Sequence, residues 1–108
     1  MDEVDIDGLH SLVSAGQIVW TEHLAIRLRE RGIKRDDVIS CVGNGEIIEQ
    51  YPDDMPYPSC LINGKSSSGR PLHIVCAHNV GECCCVITTY YPNPDKWEED
   101  NKTRKVKE

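Results

Sequence analysis

Residues 71–91 are PLHIVCAHNVGECCCVITTYY. Two runs rich in β-branched and apolar residues, PLHIVCAH (71–78) and CCCVITTYY (83–91), flank NVGE. Such a pattern predicts a hairpin of antiparallel strands. A loop of two or four residues sets His73 opposite Thr88, Cys76 opposite Cys85 and His78 opposite Cys83. Directly paired residues share a face. One face then holds Leu72, Ile74, Cys76 and His78 with Cys83, Cys85, Ile87 and Thr89. The other holds His73, Val75 and Ala77 with Cys84, Val86, Thr88 and Tyr90. The first is richer in large aliphatics and is expected to carry the helices.

Upstream, SCLING (59–64) and EIIEQY (46–51) read as two more strands. KSSSGR (65–70) is a turn, and PDDMPYP (52–58) is a loop because of its prolines. Earlier still the period is helical. Val4, Ile6, Leu9, Leu12 and Val13 form a stripe that Gly16 ends. Thr21 is a good N-cap for a second helix, with Glu22 in its first turn, Arg29 and Arg31 in its last, and Gly32 as its stop. A third helix is expected from about Arg35 or Asp36 to Val42. PNPDKW suggests a short turn or helix, and the last eight residues read as frayed. Helices followed by four strands with short loops imply an α+β domain, helices on one face of a four-stranded antiparallel sheet. The expected single domain spans 1–108: a leading helix (1–16), the helices of the His/Arg stripe (20–43), the sheet (46–91) and a tail (92–108).

The formal net charge of −6 argues against a general nucleic-acid coat protein. The charge is uneven, however. Asp2, Glu3, Asp5 and Asp7 crowd the start, whereas Arg27, Arg29, Arg31, Lys34 and Arg35 lie close together and Lys102, Arg104, Lys105 and Lys107 fill the tail. No apolar leader and no run of roughly 20 apolar residues is present. The expectation is a cytoplasmic protein with no membrane contact, its six cysteines reduced.

His23, Arg27 and Arg31 repeat at i, i+4 and i+8, roughly 80° of a helix surface. They make either one wall of a phosphate site or a solvated face paired with Glu22 and Glu30. His73 in an apolar strand is either a general acid or base held by the sheet or a packed histidine bonded to Thr88. Tyr90 beside it offers a proton donor, a stacking platform or ordinary packing. Cys76, His78, Cys83 and Cys85 would bring three sulfurs and an imidazole to one face, a set that suits zinc. No C-x-x-C knuckle accompanies them, and buried cysteine commonly serves as a small apolar residue. No metal or other cofactor is expected.

The linear pattern adds a resemblance. W-T-x-H-x-x-x-R-x-x-x-R-G-I (20–33), N-G-E-I-I-E-x-Y-P (44–52), P-S-C-L-I-x-G (58–64), R-P-L-H-I-V (70–75), I-T-x-Y-x-P (87–92) and W…R-K (97–105) resemble the prokaryotic family called domain of unknown function 4258. That family looks like a distant relative of the RelE-like toxin ribonucleases, which have helices followed by an antiparallel sheet. The resemblance implies RNA as substrate, an association with the ribosome, and a small antitoxin partner with zinc-ribbon and DNA-binding features. The positions matching the pattern are His23, Arg27, Arg31, His73, Tyr90 and Arg104.

The expected mechanism is attack by the RNA's own 2′-hydroxyl. His73 and His23 exchange the roles of base and acid, and Tyr90 stacks or donates. Arg27 and Arg31 bind the phosphate, Thr88 lies beside them, and Arg104 or Lys105 brings in the basic tail. This requires the second helix to sit at the sheet edge. If it covers the Ile74 face, His23 and His73 fall on opposite sides. The rival is a non-catalytic interaction module that docks a partner through a sheet edge or through the face of Cys84 and Val86.

Overall fold

The computed structural model describes residues 4–55, 57–79 and 83–105. It is an α+β fold with helices α1 (Ile6–Ser14), α2 (Glu22–Arg31) and α3 (Arg35–Asn44). Its strands are β1 (Ile18–Val19), β2 (Glu46–Tyr51), β3 (Ser59–Lys65), β4 (Pro71–Asn79) and β5 (Cys83–Tyr90). Thr21 accepts the Leu24 N–H on its hydroxyl at 3.0 Å and starts α2, and Gly32 ends it in the left-handed region at φ 65°. No described helix is long and apolar enough to cross a membrane.

The sheet has five strands in the order β1-β5-β4-β3-β2, which corrects the expectation of four antiparallel strands. The fifth is β1, parallel to β5 through the pairs Ile18–Cys84 and Val19–Cys85. Two residues are too few to show an alternating pattern, so β1 is invisible in the sequence. It also shields only the first part of β5. Over the remainder, the Arg31 guanidinium at the end of α2 donates to the Thr89 carbonyl at 2.6 Å and to the Thr88 hydroxyl at 3.4 Å.

The β4–β5 register differs from the expected one. His73 faces Tyr90, Ile74 faces Thr89 and Val75 faces Thr88, then the register shifts and Cys76 faces Val86, Ala77 faces Cys85 and His78 faces Cys84. A bulge at Ile87 takes up the extra residue, and that side chain is exposed. Beyond the bulge the faces swap. Cys84 and Val86, expected opposite the helices, are buried beneath them, and Cys85 joins Ala77 on the other side. The loop at 80–82 and the side chain of His78 lie outside the described residues.

The helices cover Cys60, Ile62, Leu72, Ile74, Cys76, Cys84 and Val86 with Leu9, Leu24, Leu28, Val38, Cys41 and Val42. α3 sits directly on β3. A Cβ at Gly64 would lie 2.4 Å from the Cys41 carbonyl oxygen, so only glycine permits this approach. Asp37 ties α3 to the turn before β4, accepting from Lys34 N–H, Ser67 N–H and the Ser67 hydroxyl at 2.9, 3.1 and 2.6 Å. Those bonds hold its carboxyl below the usual range, the Ser67 hydroxyl contributing most.

The tail is not frayed through residue 105. Trp97 and Arg104 form an isolated antiparallel bridge, and Trp97 is buried. This strap lies across the face opposite the helices. Residues 106–108 lie outside the described residues.

Candidate functional site

Alternation along four strands puts His73, Tyr90, Glu49 and Tyr51 on the strap-covered face. His73 is fully buried there. Its Nε2 lies 2.6 Å from the Asn101 carbonyl oxygen, which can only accept, so Nε2 carries the proton. Nδ1 is then the acceptor, 3.4 Å from the Tyr90 hydroxyl. Trp97 meets the imidazole edge-on, with centroids 4.5 Å apart. Burial is the largest influence on His73 and holds it below its ordinary range, opposed by the Asn101 hydrogen bond and by Glu49. The imidazole is therefore neutral at neutral pH.

Tyr90 stands between this histidine and an open cleft of about 620 Å³ lined by Arg31, Tyr90, Tyr91, Asn93, Lys96, Trp97 and Arg104. Its phenol is raised above the usual value, chiefly by burial. Arg104 packs over the Trp97 ring at 4.6 Å and donates to both Glu49 carboxylate oxygens at 2.7 and 2.9 Å. The Arg104 bond holds Glu49 below its ordinary value. Glu49 in turn accepts from Tyr51, whose own phenol burial pushes up to about 12. Lys102 pairs with Glu46 farther along the strap.

Arg31, Tyr90 and Arg104 thus share one cleft, with His73 behind Tyr90 and Thr88 beside Arg31. The other half of the helical stripe is elsewhere. Leu24 and Leu28 of α2 pack into the same core as Ile74, on the face opposite His73. His23 is exposed and lies eight residues before Arg31, about 12 Å along the helix. Arg27 is paired with Glu30 at 3.3 Å, as the solvated-face reading expects. Arg31 alone reaches round the sheet edge, because it stands in the last turn, beside the part of β5 that β1 leaves bare. Lys105 is exposed on the strap and donates its N–H to the Lys96 carbonyl.

The zinc-like set does not converge. Cys76 faces the helices and Cys85 faces away, because the bulge at Ile87 shifts the register by one so that Cys76 pairs with Val86 and Cys85 with Ala77. Among the described residues no group of three or more His, Cys, Asp or Glu side chains is placed to hold a metal ion. The residues missed from the sequence are Lys96, Trp97, Tyr91 and the Asn101 carbonyl. Trp97 was the available signal, a large apolar residue in a tail otherwise dominated by charge.

The family model described as Domain of unknown function (DUF4258) matches residues 20–91, well over half of the chain, and the chain belongs to that family. No curated protein and no solved structure matches it significantly.

Proposed function

We propose that this member of the DUF4258 family is an endoribonuclease that cleaves RNA by attack of the substrate's own 2′-hydroxyl. The observation that carries the reading is the Tyr90–His73 pair opening onto a cleft whose wall is Arg31, Lys96 and Trp97. RNA brings its own nucleophile, so a base, an acid and cations suffice. The 2′-hydroxyl gives its proton to the Tyr90 oxygen as Tyr90 passes its own to Nδ1 of His73. The O2′–P bond forms and the P–O5′ bond breaks. The proton then returns from His73 through Tyr90 to O5′, leaving a 2′,3′-cyclic phosphate and a 5′-hydroxyl. The Asn101 carbonyl holds the imidazole in the required tautomer and steadies its transient charge. Arg31 and Lys96 offset the charge of the phosphorane, and Trp97 offers an edge for a base. His23 and Arg27 have no part in this version.

The resemblance to RelE-like toxins belongs to the same proposal, as an analogy of fold. With it come a cytoplasmic setting, action on ribosome-associated RNA and a small antitoxin partner. One observation favours the rival, a non-catalytic interaction module: His73 is buried with both ring nitrogens engaged, as a packed histidine would be.

Tyr90→Phe separates the two. It removes one hydroxyl and no packing. New RNA ends bearing 2′,3′-cyclic phosphates are expected on induction of the wild type, and the variant is expected to lose roughly 10²–10⁴ of the cleavage rate. Cleavage undiminished in Tyr90→Phe, or no cleavage by folded wild type on cellular RNA with ribosomes present, overturns the nuclease.

A further inference from the structure

Outside the reacting pair, a second feature adjoins the same cleft. The Arg70 guanidinium carbon lies over the Tyr91 ring, 3.5 Å from its centroid. Tyr91 itself lines the cleft, and its hydroxyl donates to the Gly32 carbonyl, one residue past Arg31. Tyr91 therefore lies between the end of α2 and Arg70. Among the described residues the ion pairs engage Arg27, Lys102 and Arg104, so Arg31, Arg70 and Lys96 have no carboxylate partner, as is also true of Arg29, Lys34, Arg35, Lys65 and Lys105. Arg31, Arg70 and Lys96 are all exposed. What sets this group apart in a chain of net charge −6 is its placement: Arg31 and Lys96 line the cleft with Tyr91, and Arg70 lies over the Tyr91 ring.

Resting on the nuclease reading, we infer that the cleft continues over Tyr91 and Arg70 as a track for single-stranded RNA. One phosphate lies against Arg31 and Lys96, and a neighbouring one at Arg70. The side of the Arg70 guanidinium turned away from Tyr91 stacks a base of the flanking nucleotide. A duplex is disfavoured because its bases are already stacked on one another and present no open face to the guanidinium. The track thus specifies an unpaired stretch longer than the scissile dinucleotide.

The test uses a labelled single-stranded decamer with a 2′-O-methyl group at every position, which binds without being cut. Its affinity for the full chain is followed by anisotropy across a salt series. Arg70→Gln is expected to weaken binding roughly two- to fivefold and to lower the salt slope by about 0.7, the release expected for one phosphate of a single strand. Arg70→Lys is expected to restore the slope but not the full affinity, because a point charge replaces the plane. Thermal unfolding identical to wild type certifies both variants, Arg70 being exposed. A decamer that binds Arg70→Gln with unchanged affinity and slope overturns the track alone, as does tighter binding of the matching duplex. A wild type that binds neither overturns the nuclease reading and the track together.

Discussion

The two faces of the sheet are cut from the same strands yet are built by different rules. On the helix-covered face the buried side chains from β3 to β5 are branched apolar residues and thiols, with one hydroxyl, Thr89, which donates to the His73 carbonyl, and the covering helices add further apolar residues. On the strap-covered face the neighbouring positions are Glu49, Tyr51, His73 and Tyr90, closed by Trp97, Arg104 and the Asn101 carbonyl. The first face gains by excluding water without regard to direction. The second combines directional bonds with two large apolar side chains, Leu61 on β3 and Trp97 on the strap. A sheet can therefore keep its fold on one side and place ionisable groups on the other, one residue apart.

Substitutions at matched depth break the comparison. Ile74→Ala, fully buried beneath the helices, is expected to cost about 2–5 kcal/mol in urea unfolding. Trp97→Ala removes a larger side chain, yet about 1–2 kcal/mol is expected, because the strap can detach while the rest of the sheet stays folded. An equal or greater loss for Trp97→Ala would mean that the strap folds as part of the core. Glu49→Gln frees Arg104 from its two-pronged pair. Arg104 is 57% exposed along its side chain, so solvent discounts the pair and roughly 0.5–1 kcal/mol is expected.

Acid sharpens the same contrast at the smallest amplitude. Burial lowers the folded-state value of His73 below the ordinary 6.5. Between those two values the unfolded chain binds more protons than the folded one, so stability rises with pH there. The contribution of neutral His73 is thus complete above about pH 6.5 and lost as pH falls through the folded value. In a Trp20→Phe variant Trp97 is the single tryptophan, and its emission is expected to shift red on acidification as the strap loosens. A His73→Gln background should flatten that response. An unshifted spectrum down to about pH 5 would detach the strap from the titration of His73.

Strand boundaries were legible because prolines, glycines and serines punctuate runs of Ile, Val and Thr. EIIEQY and the start of CCCVITTYY stand where the pattern put them. The pairing of the last two strands was not legible. A single bulged residue, Ile87, swaps the faces of everything before it, and nothing in VITTYY marks Ile87 rather than Val86 as the one to bulge. The same loss of register broke the cysteine set apart. In the candidate site, His73, Tyr90, Arg31 and Arg104 came from the linear pattern, and the structure brings the last three to one cleft with His73 behind. Which end of α2 turns toward them depends on how much of β5 is covered by β1, and two residues carry too little pattern to say so.

The bare part of β5 has a consequence for how copies of this protein meet. An unpaired strand edge is a template on which another chain can zip, and proteins commonly defend such edges with charge. Here the defender is Arg31, whose guanidinium occupies the Thr89 carbonyl and sets a positive charge at the rim. The side chain that would grip a phosphate is therefore also the stopper against self-association. Replacing it exposes an adhesive edge, so a crowded cell has its own reason to keep an arginine there.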